Sequence, residues 1–126
     1  DPAAGVEISY TVGAGRLWRL ISSVFTLVTD ATVASRNISH IITIGGVVVY
    51  RNMVSTSQTA TQTRNYDVHT LSNGNTLNNN ENTSVGTQVE LLLPAGAVIA
   101  TLTQNLQAGD NFGAPTFYVE EFVYPT

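Results

Sequence analysis

Few residues in this chain are of a type and spacing that could do chemistry. His40 and His69 supply the only imidazoles, and the absence of cysteine removes disulfides, thiolate metal sites and thiol nucleophiles together. His40 falls on the same parity as Ile38, Ile42 and Ile44, so on a strand it reads as a core histidine with a hydrogen-bond partner. Asp67 and His69 are two apart and would project from one side of a strand, a spacing that metal sites exploit. A zinc site needs three or four ligands, and no third is evident nearby. Glu120 and Glu121 form a carboxylate pair in sequence, but strand neighbours point to opposite faces, so they cannot jointly flank one glycosidic bond. They read as solvated or interface charge. No serine lies in a Gly-x-Ser-x-Gly turn, and Gly13-Ala14-Gly15 precedes a strand and not a phosphate-binding helix terminus. No catalytic, cofactor-binding or metal residue is assigned, and no cofactor is expected. Trp18, Tyr50, Tyr66, Tyr118 and Tyr124 are the candidates for a carbohydrate- or receptor-binding platform. The competing reading places them in the core and at a subunit interface.

The elements that would position these residues are strands. Val6, Ile8, Tyr10 and Val12 alternate with Glu7, Ser9 and Thr11, which predicts a first strand with one buried and one wet face. Leu17 to Val28 is β-branched and aromatic but apolar on both parities. It predicts a strand with neighbours on both faces and a bulge or bend at Ser22-Ser23. Ile38, His40, Ile42 and Ile44 alternate again. Gly45-Gly46 then predicts a reversal into Val47 to Met53, because glycine accepts positive φ.

Ser55 to Thr63 is almost wholly Ser, Thr and Gln, compatible with an exposed strand or an extended loop leading into Tyr66-Asp67-Val68-His69. The Asn-rich stretch at 71–83 predicts a long surface loop. Ser84 to Leu93 resumes alternation, with Val85, Val89, Leu91 and Leu93 on one face. Pro94-Ala95-Gly96 and Gln107-Ala108-Gly109-Asp110 predict turns on either side of Val98 to Leu106. Thr116 to Tyr124 closes the chain with aromatic and β-branched residues on both faces. About eight antiparallel strands result, with no helical periodicity, and the expected architecture is all-β: one jelly-roll-like β-sandwich domain over 1–126. A different sandwich or a barrel stays open, because periodicity does not fix strand order.

Composition narrows the partners. Charged residues make up 11% of the 126, less than half the roughly 25% of an average soluble protein, so much of the surface is neutral Thr, Ser, Asn and Gln. Such a surface suits lasting contacts, because no ion is desolvated when it is covered. Lysine is absent, and five scattered arginines face nine acidic residues, so there is no basic stripe for nucleic acid. No apolar run approaches the roughly 20 residues that span a bilayer, so no membrane partner is expected.

Arg16-Leu17-Trp18-Arg19-Leu20, Leu93-Pro94-Ala95-Gly96 and Asn105-Leu106-Gln107-Ala108-Gly109-Asp110 resemble segments of the small jelly-roll virion proteins of tailed bacteriophages. In that family a strand follows a Gly-rich turn, and a Pro-Ala-Gly turn leads to a late hairpin before an acidic, aromatic last strand. The resemblance implies a capsid decoration or cement protein without catalytic residues. It would be a homo-oligomer, a trimer being favoured, bound to a capsid or filament lattice at the virion surface. The interface residues expected on this reading are an extended N-terminal arm, Asp1, Pro2, Ala3, Ala4 and Gly5, reaching a neighbouring subunit, together with Tyr118, Phe122 and Tyr124 of the last strand. A carbohydrate- or receptor-binding module is the alternative.

Overall fold

The computed structural model describes residues 1–54, 56–69, 77–78, 82–86 and 90–124, with only the backbone described at 77–78 and 82–86. These residues form strands and no helix: β1 (Ser9–Thr11), β2 (Arg16–Val28), β3 (Asn37–Ile44), β4 (Val47–Met53), β5 (Thr63–His69), β6 (Leu77–Asn78), β7 (Asn82–Gly86), β8 (Leu92–Pro94), β9 (Val98–Gln104), β10 (Asn111–Phe112) and β11 (Thr116–Val123). Eleven strands thus replace the eight expected. The surplus comes from the two-residue strands β6 and β10 and from the split of the 84–93 alternation between β7 and β8. The Asn-rich loop expected at 71–83 lies outside the described residues, apart from the backbone of β6 and the start of β7.

The strands make two sheets. One has the order β1-β9-β3-β4, and the other runs β10-β2-β5-β7-β6, with β11 and β8 also paired to β2. Pairing is antiparallel except between β5 and β7. The late strands fold back on the early ones in both sheets of this β-sandwich, β11 on β2 and β9 on β3. Gly45 and Gly46 both take positive φ, 58° and 81°, which a two-residue hairpin turn between β3 and β4 requires.

The 13-residue β2 is the spine of the second sheet, and one bulge explains its sequence. Along β11, Val119 pairs with Leu20 and the next residue, Tyr118, pairs with Ser22, so Ile21 is the extra residue of β2. The insertion flips the parity. Trp18 and Leu20 face the core before it, and Ser23, Phe25 and Leu27 face the same core after it. The two apolar parities of Leu17 to Val28 therefore serve largely one face in succession. This corrects the expectation of a second buried face, and it moves the bulge from Ser22-Ser23 to Ile21.

The core has two parts. Ile8, Phe25, Leu27, Ile38, Val54, Tyr66, Val68 and Phe112 form one, and Val12, Trp18, Leu20, Ile42, Leu93, Ala97 and Ile99 form the other, with Phe117 packed against both. Each fully buried large side chain contributes roughly 1.5–3 kcal/mol.

Candidate functional site

The ionisable groups with the most elaborate surroundings are inside the sandwich, where they brace loops. Arg36 is wholly buried, and all five of its N–H groups are used. Nε and Nη2 donate to the two carboxylate oxygens of Asp110 at 2.9 Å, Nη2 also donates to Asp30 at 2.8 Å, and Nη1 donates to the carbonyls of Thr32 and Ala34 at 2.9 Å. Burial by itself would raise the Asp110 pKa, yet the Arg36 guanidinium and the amides of Gln107 and Asp30 hold it below the usual carboxylate range. The cluster locks the 29–36 excursion to the 107–110 turn. At Gly109 an added Cβ would stand 2.6 Å from Asp30 Oδ2, so any side chain there would displace Asp30 from the cluster.

Gln58, also fully buried, performs a similar task. Its Nε2 donates to the carbonyls of Leu27 and Gln62, and its Oε1 accepts from the Tyr66 hydroxyl at 2.8 Å. Burial pushes the Tyr66 phenol up to about 12. Neither Arg36 nor Gln58 carries a sequence signal, since each reads as an ordinary surface residue until its loop is folded over it.

His40 lies in the core as its parity predicts, 2% exposed, with Nε2 3.1 Å from Ser23 Oγ. Its Nδ1 has no hydrogen-bond partner, and burial lowers its pKa to about 4, so the ring is neutral at pH 7. Asp67 and His69 project from one side of β5, with Nδ1 3.7 Å from Oδ1, and Ser22 donates to the same carboxylate oxygen at 2.9 Å. In a hydrolytic triad the imidazole stands between hydroxyl and carboxylate; here the carboxylate stands between the other two. No group of three metal-ligating side chains occurs among the described residues.

Glu120 and Glu121 diverge as neighbouring strand residues must. Glu121 accepts from the Trp18 indole at 2.6 Å and from Arg16 at 2.8 Å, and these two bonds hold its carboxyl below the ordinary range. Glu120 turns to the outer face and pairs with Arg19, which also reaches Glu90 at 3.4 Å. Of the five aromatic candidates for a binding platform, Trp18 and Tyr66 are in the core, 7% and 1% exposed, and leave it. Tyr50 is half-buried against the core, and Tyr118 and Tyr124 are more than half exposed.

The remaining expected interface residues are placed as follows. Tyr118, Phe122 and Tyr124 share the parity of Glu120 and line the outer face of β11, and Phe122 lies in register with Leu17 of β2, which in turn faces Pro94 of β8. Exposed Leu92, in register with Arg19, lies on the same face. These side chains form an apolar patch around the Arg19–Glu120 ion pair. The N-terminal arm is tied to its own chain: Gly5 N donates to Asp110 O at 2.7 Å, and Val6 N closes a turn onto Ala3 O. Asp1, Ala3 and Ala4 are exposed and Pro2 is half-buried. Asp1 and Pro2, with Val6, Tyr10 and Pro115, line a cleft of about 400 Å³. Thus the structure gathers the last-strand residues on one face and sets the arm apart from them, beside the start of β11.

Comparison of the chain with family models, with curated proteins and with solved structures finds no match in any of the three.

Proposed function

We propose that this chain is a structural module that associates with copies of itself and joins a larger assembly, as the small decoration and cement proteins of phage capsids do at the virion surface. The observation that carries this reading is β11. It is an eight-residue strand paired on one side only, to β2, among the described residues, and it leaves Tyr118, Phe122, Val123 and Tyr124 between 45% and 71% exposed. Long apolar edge strands invite pairing, and proteins that stay monomeric shorten, charge or cover them. The charges beside β11 are already matched, Arg16 with Glu121 and Arg19 with Glu120, and the low charge of the chain as a whole limits the cost of desolvation when partners meet. Weak contacts repeated over a lattice then add by avidity. Light scattering over a concentration series, with imaging of the same sample, tests the reading. A defined oligomer or an ordered assembly is expected, and a monomer at every concentration with no assembly refutes it.

Carbohydrate or receptor binding is the second reading, and it rests on the exposure of Tyr118 in β11 and of Tyr124 just after it. Glycan-array binding that is lost in Tyr118→Ala would favour it.

A further inference from the structure

We infer that two copies of this chain pair antiparallel through β11 about a two-fold axis at Glu120. The inference rests on the self-association proposed above and specifies its geometry as a dimer in place of the trimer expected from the resemblance.

The direction of the β11 amides comes first. Tyr124 N donates to Gly15 O at 3.0 Å, so the amide of residue 124 points toward β2. Pairing along β11 is unbroken from Thr116 to Val123, and the bulge is carried by β2. Alternation therefore turns the even-numbered backbone groups to β2 and leaves the N–H and C=O groups of Phe117, Val119, Glu121 and Val123 on the open edge. These four residues are symmetric about position 120. If a second β11 runs antiparallel with Glu120 opposite Glu120, Phe117 meets Val123 and Val119 meets Glu121 as hydrogen-bonded pairs, and every edge group from 117 to 123 finds a partner. On the outer face Tyr118 then lies opposite Phe122 of the second copy, an aromatic cross-strand pair that forms twice in the dimer. The two central carboxylates are each already paired with Arg19. Shifting the register by two residues either way keeps the faces matched but shortens the ladder and separates the aromatics.

Exposed apolar side chains meet across the new edge: Tyr118 and Phe122, 59% and 45% exposed, stand opposite each other, and Val123, 71% exposed, stands opposite Phe117. β4, the long edge strand of the first sheet, lacks the needed regularity. Thr43 pairs with Val48 and Ile42 with Tyr50, so Val49 is an extra residue that breaks the alternation in β4 itself.

The absence of cysteine makes the register directly readable. In a non-hydrogen-bonded antiparallel pair the Cα atoms lie about 4.5 Å apart, within disulfide range. Single variants Tyr118→Cys, Val119→Cys, Glu120→Cys, Glu121→Cys and Phe122→Cys would be oxidised and run on non-reducing gels. Only Glu120→Cys is expected to give a rapid, near-complete covalent dimer. Dimer at any of the other four positions instead, or at none, overturns the inference. In parallel, Val123→Pro deletes one edge donor at a 71% exposed residue while leaving the bonds to β2 in place. The dimer dissociation constant should weaken at least tenfold with the fold retained by circular dichroism, and an unchanged constant also overturns it. An oligomer that survives both tests would refute this geometry while leaving self-association standing, whereas a wild-type monomer would refute both.

Discussion

Acidification from pH 7 to pH 4 should remove about 3 kcal/mol of folding stability through His40 alone. The ring is buried, its Nε2 is met by Ser23 and its Nδ1 faces no acceptor, so a second proton on the ring would have no hydrogen-bond partner in the core. Burial lowers the folded pKa from 6.5 to about 4, and one unit corresponds to about 1.4 kcal/mol, which gives the quoted magnitude. The sign follows from linkage. Between those two values the unfolded chain binds a proton that the folded chain does not, so stability falls as pH falls through this window and levels off below it. The depressed Asp110 contributes in a different window, losing its stabilisation only as pH drops below the ordinary carboxylate value of 3.8. Urea unfolding followed by circular dichroism and by the fluorescence of Trp18, the one tryptophan, at half-unit pH steps from 7 to 4 would supply both curves. His40→Gln retains a donor for Ser23 and does not titrate. The stability difference between the wild type and this variant should therefore shrink by about 3 kcal/mol across the range. Parallel curves, differing by a constant, would refute the reasoning.

Three other perturbations test the buried polar braces. Arg36→Met leaves Asp110 charged and unpaired inside the protein and should cost about 3–5 kcal/mol in chemical denaturation, far more than Arg51→Met on exposed β4. Gly109→Ala drives a methyl against Asp30 Oδ2 and should lower stability by about 1–3 kcal/mol, seen as a reduced melting temperature. Tyr66→Phe leaves Gln58 Oε1 without its donor in the core and should cost about 1–2 kcal/mol, while Tyr118→Phe, at an exposed site, should leave monomer stability unchanged.

Local features of this protein were legible from local chemistry. Period-two alternation announced β3 and placed His40 inward, because a strand gives each face every second residue. Gly45-Gly46 announced the hairpin, because both positions need positive φ. The divergence of Glu120 and Glu121 followed from the same pleat. What the sequence could not carry is whatever depends on which segments meet. The bulge at Ile21 decides that the two apolar parities of β2 fill one core, and it appears only when β11 is laid against β2. The Arg36–Asp110 pair joins residues 74 positions apart, and Gln58 becomes a core residue only because its own loop returns to Leu27. The patch on β11 has the same origin. The sequence by itself determined that Tyr118, Phe122 and Tyr124 share a face, since their positions differ by even numbers. Only the tertiary structure decided that this face stays exposed, because β11 turns its other face, with Phe117 and Val119, onto the core.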